Sequence, residues 1–110
     1  MTITNKEYAA RRKDLMSLMQ SNSIAIIASA PEKVRSRDTH YPYKQNVTLS
    51  YLSGFPEPES VMALIPGRPQ GEVILFCRDK DPLRETWDGY REGPSGAVAN
   101  FDANDAFPIS

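Results

Sequence analysis

The stretch Tyr41–Glu59, Y-P-Y-K-Q-N-V-T-L-S-Y-L-S-G-F-P-E-P-E, decides the fold. It gathers Tyr41, Tyr43, Tyr51, Pro42, Pro56, Pro58 and Gly54, a density that marks built structure rather than linker. Pro42 between two tyrosines fixes an extended segment, because its ring sets φ and pushes the preceding residue out of the α region. Asn46 can then cap a short helix by offering its side-chain oxygen to a free backbone N–H. Gly54 stands where a left-handed terminator belongs, and Pro56 stops the helix from resuming. Val47, Leu49, Tyr51, Leu52 and Phe55 are few and closely spaced, which predicts a helix of one or two turns rather than a strand. The stretch therefore reads as an extended entry, a short helix and a sharp exit into a strand.

Upstream, Thr4 followed three residues later by Glu7 has capping-box spacing and places a helix start near Asn5. Tyr8, Leu15, Leu18 and Met19 fall on or near one side of it, with Ala9 and Met16 adjoining. Arg11, Arg12, Lys13 and Asp14 take the remainder, and that basic run reads as the wet face of an amphipathic helix of about four turns. Ile24–Ala28 lacks alternation, so both faces are expected to be covered, as in an interior strand. From Ser29 to His40 the chain turns polar, and loops beyond strand ends are where α/β sheets usually bind ligands.

Downstream, Val61–Ile65 and Val73–Cys77 read as strands joined by the turn formers Pro66–Gly71. That linker is too short for a crossover helix, so the two should pair antiparallel. Asp81 and Pro82 open a second helix, running to about Asp88, that carries the single tryptophan, Trp87, and is closed by Gly89. Gly93–Gly96 reads as a turn, Ala97–Phe101 as weakly apolar and Asp102–Asp105 as polar. Ser110 looks like a helix cap without its helix. About three strands with open edges suggest a part of a longer protein.

A chain of 110 residues bounds the answer to one domain, with 40% hydrophobic and 25% charged residues in an ordinary globular balance. A net charge of −1, with the basic residues spread out, argues against a nucleic-acid surface. Cys77 is the sole cysteine, which excludes an internal disulfide; its apolar strand predicts a buried, unreactive thiol. No apolar run is long enough for a membrane helix, and the charged start lacks a signal core, so the cytoplasm is the expected location.

Complete catalytic chemistry is missing. The one histidine, His40, sits between polar loop residues and tyrosines, and no H-E-x-x-H, cysteine pair or calcium loop accompanies it. Gly93-Pro94-Ser95-Gly96 lacks the strand and helix of a nucleophile elbow. The acid pairs Glu57/Glu59 and Asp79/Asp81 each adjoin a proline at an element boundary, where solvated capping is the expected role.

Three blocks, in order, resemble the N-terminal domain of aminopeptidase P, the X-Pro aminopeptidases of the creatinase and prolidase superfamily. They are E-Y-A-A-R-R-K-D-L; R-S-R-D-T-H-Y-P-Y-K-Q-N with Y-L-S-G-F-P-E-P-E; and F-C-R-D-K-D-P-L-R-E-T-W-D-G-Y-R. Together they span about residues 5 to 95. The resemblance implies a creatinase-type α/β fold, a mixed sheet flanked by helices, here truncated. It implies a parent enzyme that removes an N-terminal residue preceding proline. Two divalent metals, usually manganese, would sit in a C-terminal catalytic domain that this chain lacks. These residues would then hold no metal and catalyse nothing alone. They would contact their own catalytic domain and neighbouring subunits of a homo-oligomer, with proline-containing peptides as substrates and neither nucleic acid nor membrane as partner. Trp87 resembles a family tryptophan lining the substrate cleft. Asp38 resembles an acid reaching a neighbouring subunit's site near the peptide's amino end, where a carboxylate suits an ammonium. The tyrosines, Gln45 and the E-P-E turn fall to scaffolding. A prolidase domain and a free-standing α/β binding module are the alternative readings.

Overall fold

The computed structural model describes residues 3–20, 22–30 and 44–109, with 87–88 described by backbone alone. The Tyr41-Pro42-Tyr43 entry and the loop bearing Asp38 and His40 lie outside the described residues. In chain order the elements are α1 (Asn5–Ser17), β1 (Ala25–Ala28), α2 (Val47–Ser53), β2 (Val61–Leu64), β3 (Val73–Cys77), α3 (Pro82–Asp88), α4 (Gly93–Phe101) and β4 (Asp105–Pro108).

Local signals place the starts of α1, α2 and α3 and the end of α2 where the sequence put them, whereas α1 stops at Ser17, short of the end at residues 21–23 expected for it. The Thr4 hydroxyl accepts from the Glu7 N–H at 3.3 Å and opens α1. Asn46 Oδ1 accepts from the Leu49 N–H at 3.1 Å and opens α2. Gly54 ends α2 at φ 71°, with its N–H on the Ser50 carbonyl. Glycine is required there twice over. The conformation is left-handed, and a Cβ would stand 2.6 Å from the Tyr8 ring. Asp81 accepts from the Arg84 N–H at 3.2 Å with Pro82 in the first turn, opening α3.

The four strands form one mixed sheet in the order β1-β2-β3-β4. β1 with β2 and β2 with β3 pair antiparallel, as the short 66–71 linker demands, and β3 with β4 pairs parallel. A parallel pair needs a crossover, and α3 and α4 supply it. One face of the sheet carries Ile27, Met62, Leu64, Leu75 and Cys77. It packs under Leu49, Leu52 and Phe55 from α2 and its exit, and under Ala97 and Phe101 from α4. Phe55 is fully buried and meets Phe101 edge to face, with ring centroids 5.0 Å apart.

Four expectations are corrected. Among the described residues β1 is an edge strand, not an interior one: its burial alternates, Ala25 and Ile27 face the core, and Ile24 and Ile26 are exposed. Residues 93–101, expected as a turn and a weakly apolar run, form α4, because Pro94 fits a first helical turn and Ala97 fills a buried slot. Residues 105–108 form β4, whose only described neighbour is β3, so Pro108 can sit at an edge. On α1, Leu18 is exposed as the C-cap residue while Arg12 is 2% exposed at the centre of the inward face. The basic run is therefore not uniformly wet. Arg11 and Arg12 reach across to α2, donating to the carbonyls of Tyr51 at 3.0 Å and Leu52 at 2.8 Å. Those carbonyls belong to the last turn of α2, where no intrahelical partner remains and a cation is electrostatically favoured.

Candidate functional site

β1, β3 and β4 run the same way, so the segments that follow them leave from one end of the sheet. β2 is antiparallel and begins at that same end, which brings the E-P-E turn there. Ser29 and Ser60 lock the two together: the Ser29 N–H donates to the Ser60 carbonyl at 2.8 Å, and the Ser60 N–H to Ser29 Oγ at 3.0 Å. Gln45 adds a second tie. Its Oε1 accepts from the Ala30 and Asn46 N–H groups at 3.1 and 2.8 Å. Its Nε2 donates to the Phe55 and Glu57 carbonyls at 3.0 and 2.8 Å. A half-buried amide used on both sides ties the loop to both segments.

Between these segments lies a recess of about 590 Å³ lined by Glu59, Arg78, Asp79, Lys80, Asp81, Arg91 and Ile109. Its lining carries three cationic and three anionic side chains. Such a balance favours a zwitterionic or hydrogen-bonding surface over a phosphate site. Glu59, at the end of the E-P-E turn, adopts φ 52°, a conformation uncommon outside glycine, and its side chain is exposed.

The acids expected to be solvated caps divide into different roles. Asp81 caps α3 as expected. Glu57 does not face solvent: it is 6% exposed, with Oε1 3.4 Å from Arg78 Nη2 and Oε2 accepting the Glu92 N–H at 2.7 Å. Nothing local in the sequence marks these partners, since one is 21 residues away and the other 35. Glu85 is a second anchor on the same segment. Its carboxylate accepts the Arg91 N–H at 2.9 Å, Lys80 Nζ at 3.0 Å and the Asp81 N–H at 3.2 Å. The Arg91 hydrogen bond, then the Lys80 one, hold its pKa below the ordinary glutamate range. The Glu85 hydrogen bond in turn holds the Lys80 ammonium above its own. Lys80 Nζ also donates to the Arg91 carbonyl at 2.6 Å and lies 4.1 Å from the Tyr90 ring centroid.

Of the residues that the sequence singled out, Trp87 lies in the last turn of α3, at this end of the sheet, and its side chain is outside the described structure. Asp38 belongs to the segment after β1 and is outside it entirely. Cys77 is fully buried at the end of β3; burial first, then the negative charge of Glu57, push its thiol up to about 11. Among the described residues, no three His, Cys, Asp or Glu side chains converge as a metal site would need. No helix among them is long and apolar enough to cross a membrane.

The family model for the aminopeptidase P N-terminal domain matches residues 8–110. The chain is 38% identical over 109 residues to the Xaa-Pro aminopeptidase of Escherichia coli, covering 98% of this chain and 25% of that protein. To human Xaa-Pro aminopeptidase 3 it is 36% identical over 119 residues, covering 97% and 24%. Among solved structures, aminopeptidase PepP of Pseudomonas aeruginosa superposes with a TM-score of 0.93 at 57% identity, covering 97% of this chain and 24% of that one. A zinc-substituted E. coli aminopeptidase P in complex with product gives 0.91 at 37% identity, covering 99% and 25%. The chain thus spans about a quarter of the length of the relatives it matches.

Proposed function

The chain belongs to the aminopeptidase P N-terminal domain family, and from that premise we propose that it is the non-catalytic N-terminal part of an X-Pro aminopeptidase. The parent would release an N-terminal residue that precedes proline, by hydrolysis on two divalent metals, manganese by family expectation. This part's contribution would be walling and assembly, with the metal pair held elsewhere in the parent. The observation that carries the reading is the segment 78–93, anchored by Glu57, Glu85 and Lys80 at the carboxyl end of the parallel strands. Trp87 lies within it and would line the substrate cleft. Asp38, in the sequence after β1, would meet the amino end of a peptide bound by a neighbouring subunit.

Exposed apolar side chains support contact with further protein. Ile24, Ile26 and Phe107 are 54%, 66% and 45% exposed, and apolar surface of this kind gains by being covered. The catalytic part of the parent and other subunits are the partners assigned to it. The test is a Trp87→Ala change in the parent enzyme, read by turnover of an X-Pro tripeptide and by metal content. Turnover falls and metal content holds if Trp87 walls the cleft; unchanged turnover removes that role.

A further inference from the structure

Glu57 is a buried carboxylate, and the fold of its own turn does not need it. The backbone of the E-P-E turn is already fixed through the Glu57 carbonyl, which accepts from Gln45 Nε2 at 2.8 Å and Ser60 Oγ at 2.9 Å. Burying a carboxylate carries a desolvation cost that only full hydrogen bonding offsets. The side chain meets that condition by reaching away from its turn, to Arg78 and to the Glu92 N–H.

Its target is the segment that follows α3. Three successive backbone groups of that segment are held by charged side chains: the Arg91 N–H by Glu85, the Arg91 carbonyl by Lys80 and the Glu92 N–H by Glu57. Glu85 and Lys80 come from the same stretch of chain and move with it. Glu57 comes from the turn before β2, outside that stretch, and so ties the segment to the neighbouring strand. Meanwhile Tyr90, inside the segment, stays 65% exposed. A loop with a fixed backbone and an outward aromatic ring is pre-organised for contact.

We propose that Glu57 is a positioning residue for peptide recognition: by holding the Glu92 N–H and Arg78, it helps fix where the backbone of the α3–α4 segment, which carries Trp87 and Tyr90, stands toward a proline-containing peptide. This rests on the cleft-lining reading of Trp87. Glu57 touches no substrate and acts through the loop.

The experiment is a kinetic double-mutant cycle in the parent enzyme, with an X-Pro tripeptide as probe. Glu57→Gln keeps the shape and loses the charge. It should raise KM about fivefold and leave kcat within about twofold, the pattern of lost binding rather than lost chemistry. In a Trp87→Ala background the same change should add almost nothing, because both act on one contact. An unchanged KM in Glu57→Gln, or effects that multiply in the double variant, would overturn the proposal. If Trp87→Ala impairs turnover and Glu57→Gln does not, only this inference falls. If Trp87→Ala has no effect, the cleft reading falls and this one with it. Should Glu57→Gln fail to fold, Glu92→Pro removes the same N–H at a backbone of φ −67° and ψ −40° that proline accepts. It should raise KM similarly, and an unchanged KM there overturns the proposal equally.

Discussion

Replacing Arg12 by alanine should lower the folding stability of this chain by about 3 kcal/mol. The guanidinium donates to the Leu52 carbonyl at 2.8 Å and stands 3.8 Å from Asp102, joining α1 to the ends of α2 and α4. Removing it leaves a helix-terminal carbonyl in the interior without its donor, a loss of about 1.5–3 kcal/mol for a hydrogen bond to a charged group. The buried stem adds packing worth about 1 kcal/mol. One effect works the other way. Burial pushes the Arg12 pKa down, with Asp102 partly opposing it, so the folded state bears a desolvation cost that alanine would relieve. The Asp102 pair itself counts for little, since that acid is 61% exposed. The hydrogen bond and packing win because the alternative strands a polar group that water cannot reach. For a domain of this size about 4 °C accompanies each kcal/mol, so the thermal midpoint should drop by roughly 12 °C. Urea unfolding monitored by circular dichroism measures it, with Lys13→Ala as the exposed control and Arg11→Ala expected near 1 kcal/mol. An Arg12→Ala chain within about 0.5 kcal/mol of the Lys13→Ala control would refute the reasoning.

Two further outcomes follow from the electrostatics. Cys77, buried and raised to about 11, should resist thiol reagents at neutral pH in the native chain and react at once in denaturant; fast native labelling would contradict its burial. Glu85 has a folded pKa below its unfolded one, so its stabilisation is full above the ordinary glutamate range and is lost as pH falls through the depressed value. Amide exchange of Arg91 should accelerate on acidification relative to intrinsic rates, and Glu85→Gln should remove that pH dependence; an identical profile in the variant would contradict the anchor.

The sequence exposed what short-range chemistry controls. Thr4 with Glu7, Asn46 with Gly54, and Asp81 with Pro82 set helix ends from within a few residues, and each end is where that chemistry places it. The 66–71 linker dictated the antiparallel β2–β3 pair by its length alone. What stayed hidden depended on partners far away in the chain. Arg12 reads as surface until the α2 carbonyls arrive 40 residues later. Glycine and proline at 93–96 masked α4, whose stability comes from packing Ala97 and Phe101 rather than from propensity. β1 carries an apolar run that reads as doubly covered, yet the described helices pack on one sheet face. At the candidate site, the start of α3 was legible through Asp81 and Pro82. Glu57 was not, because an acid beside proline looks solvated until Arg78 and the Glu92 N–H close over it.

The central claim is that this domain supports an X-Pro aminopeptidase without doing its chemistry. The most direct measurement sets this 110-residue chain beside its parent enzyme, each titrated with manganese and assayed on an X-Pro tripeptide. The account predicts proline-directed cleavage by the parent, with neither tight metal binding nor turnover by the chain alone. Tight manganese binding or hydrolysis by the chain, or a parent that leaves X-Pro bonds intact, would contradict it.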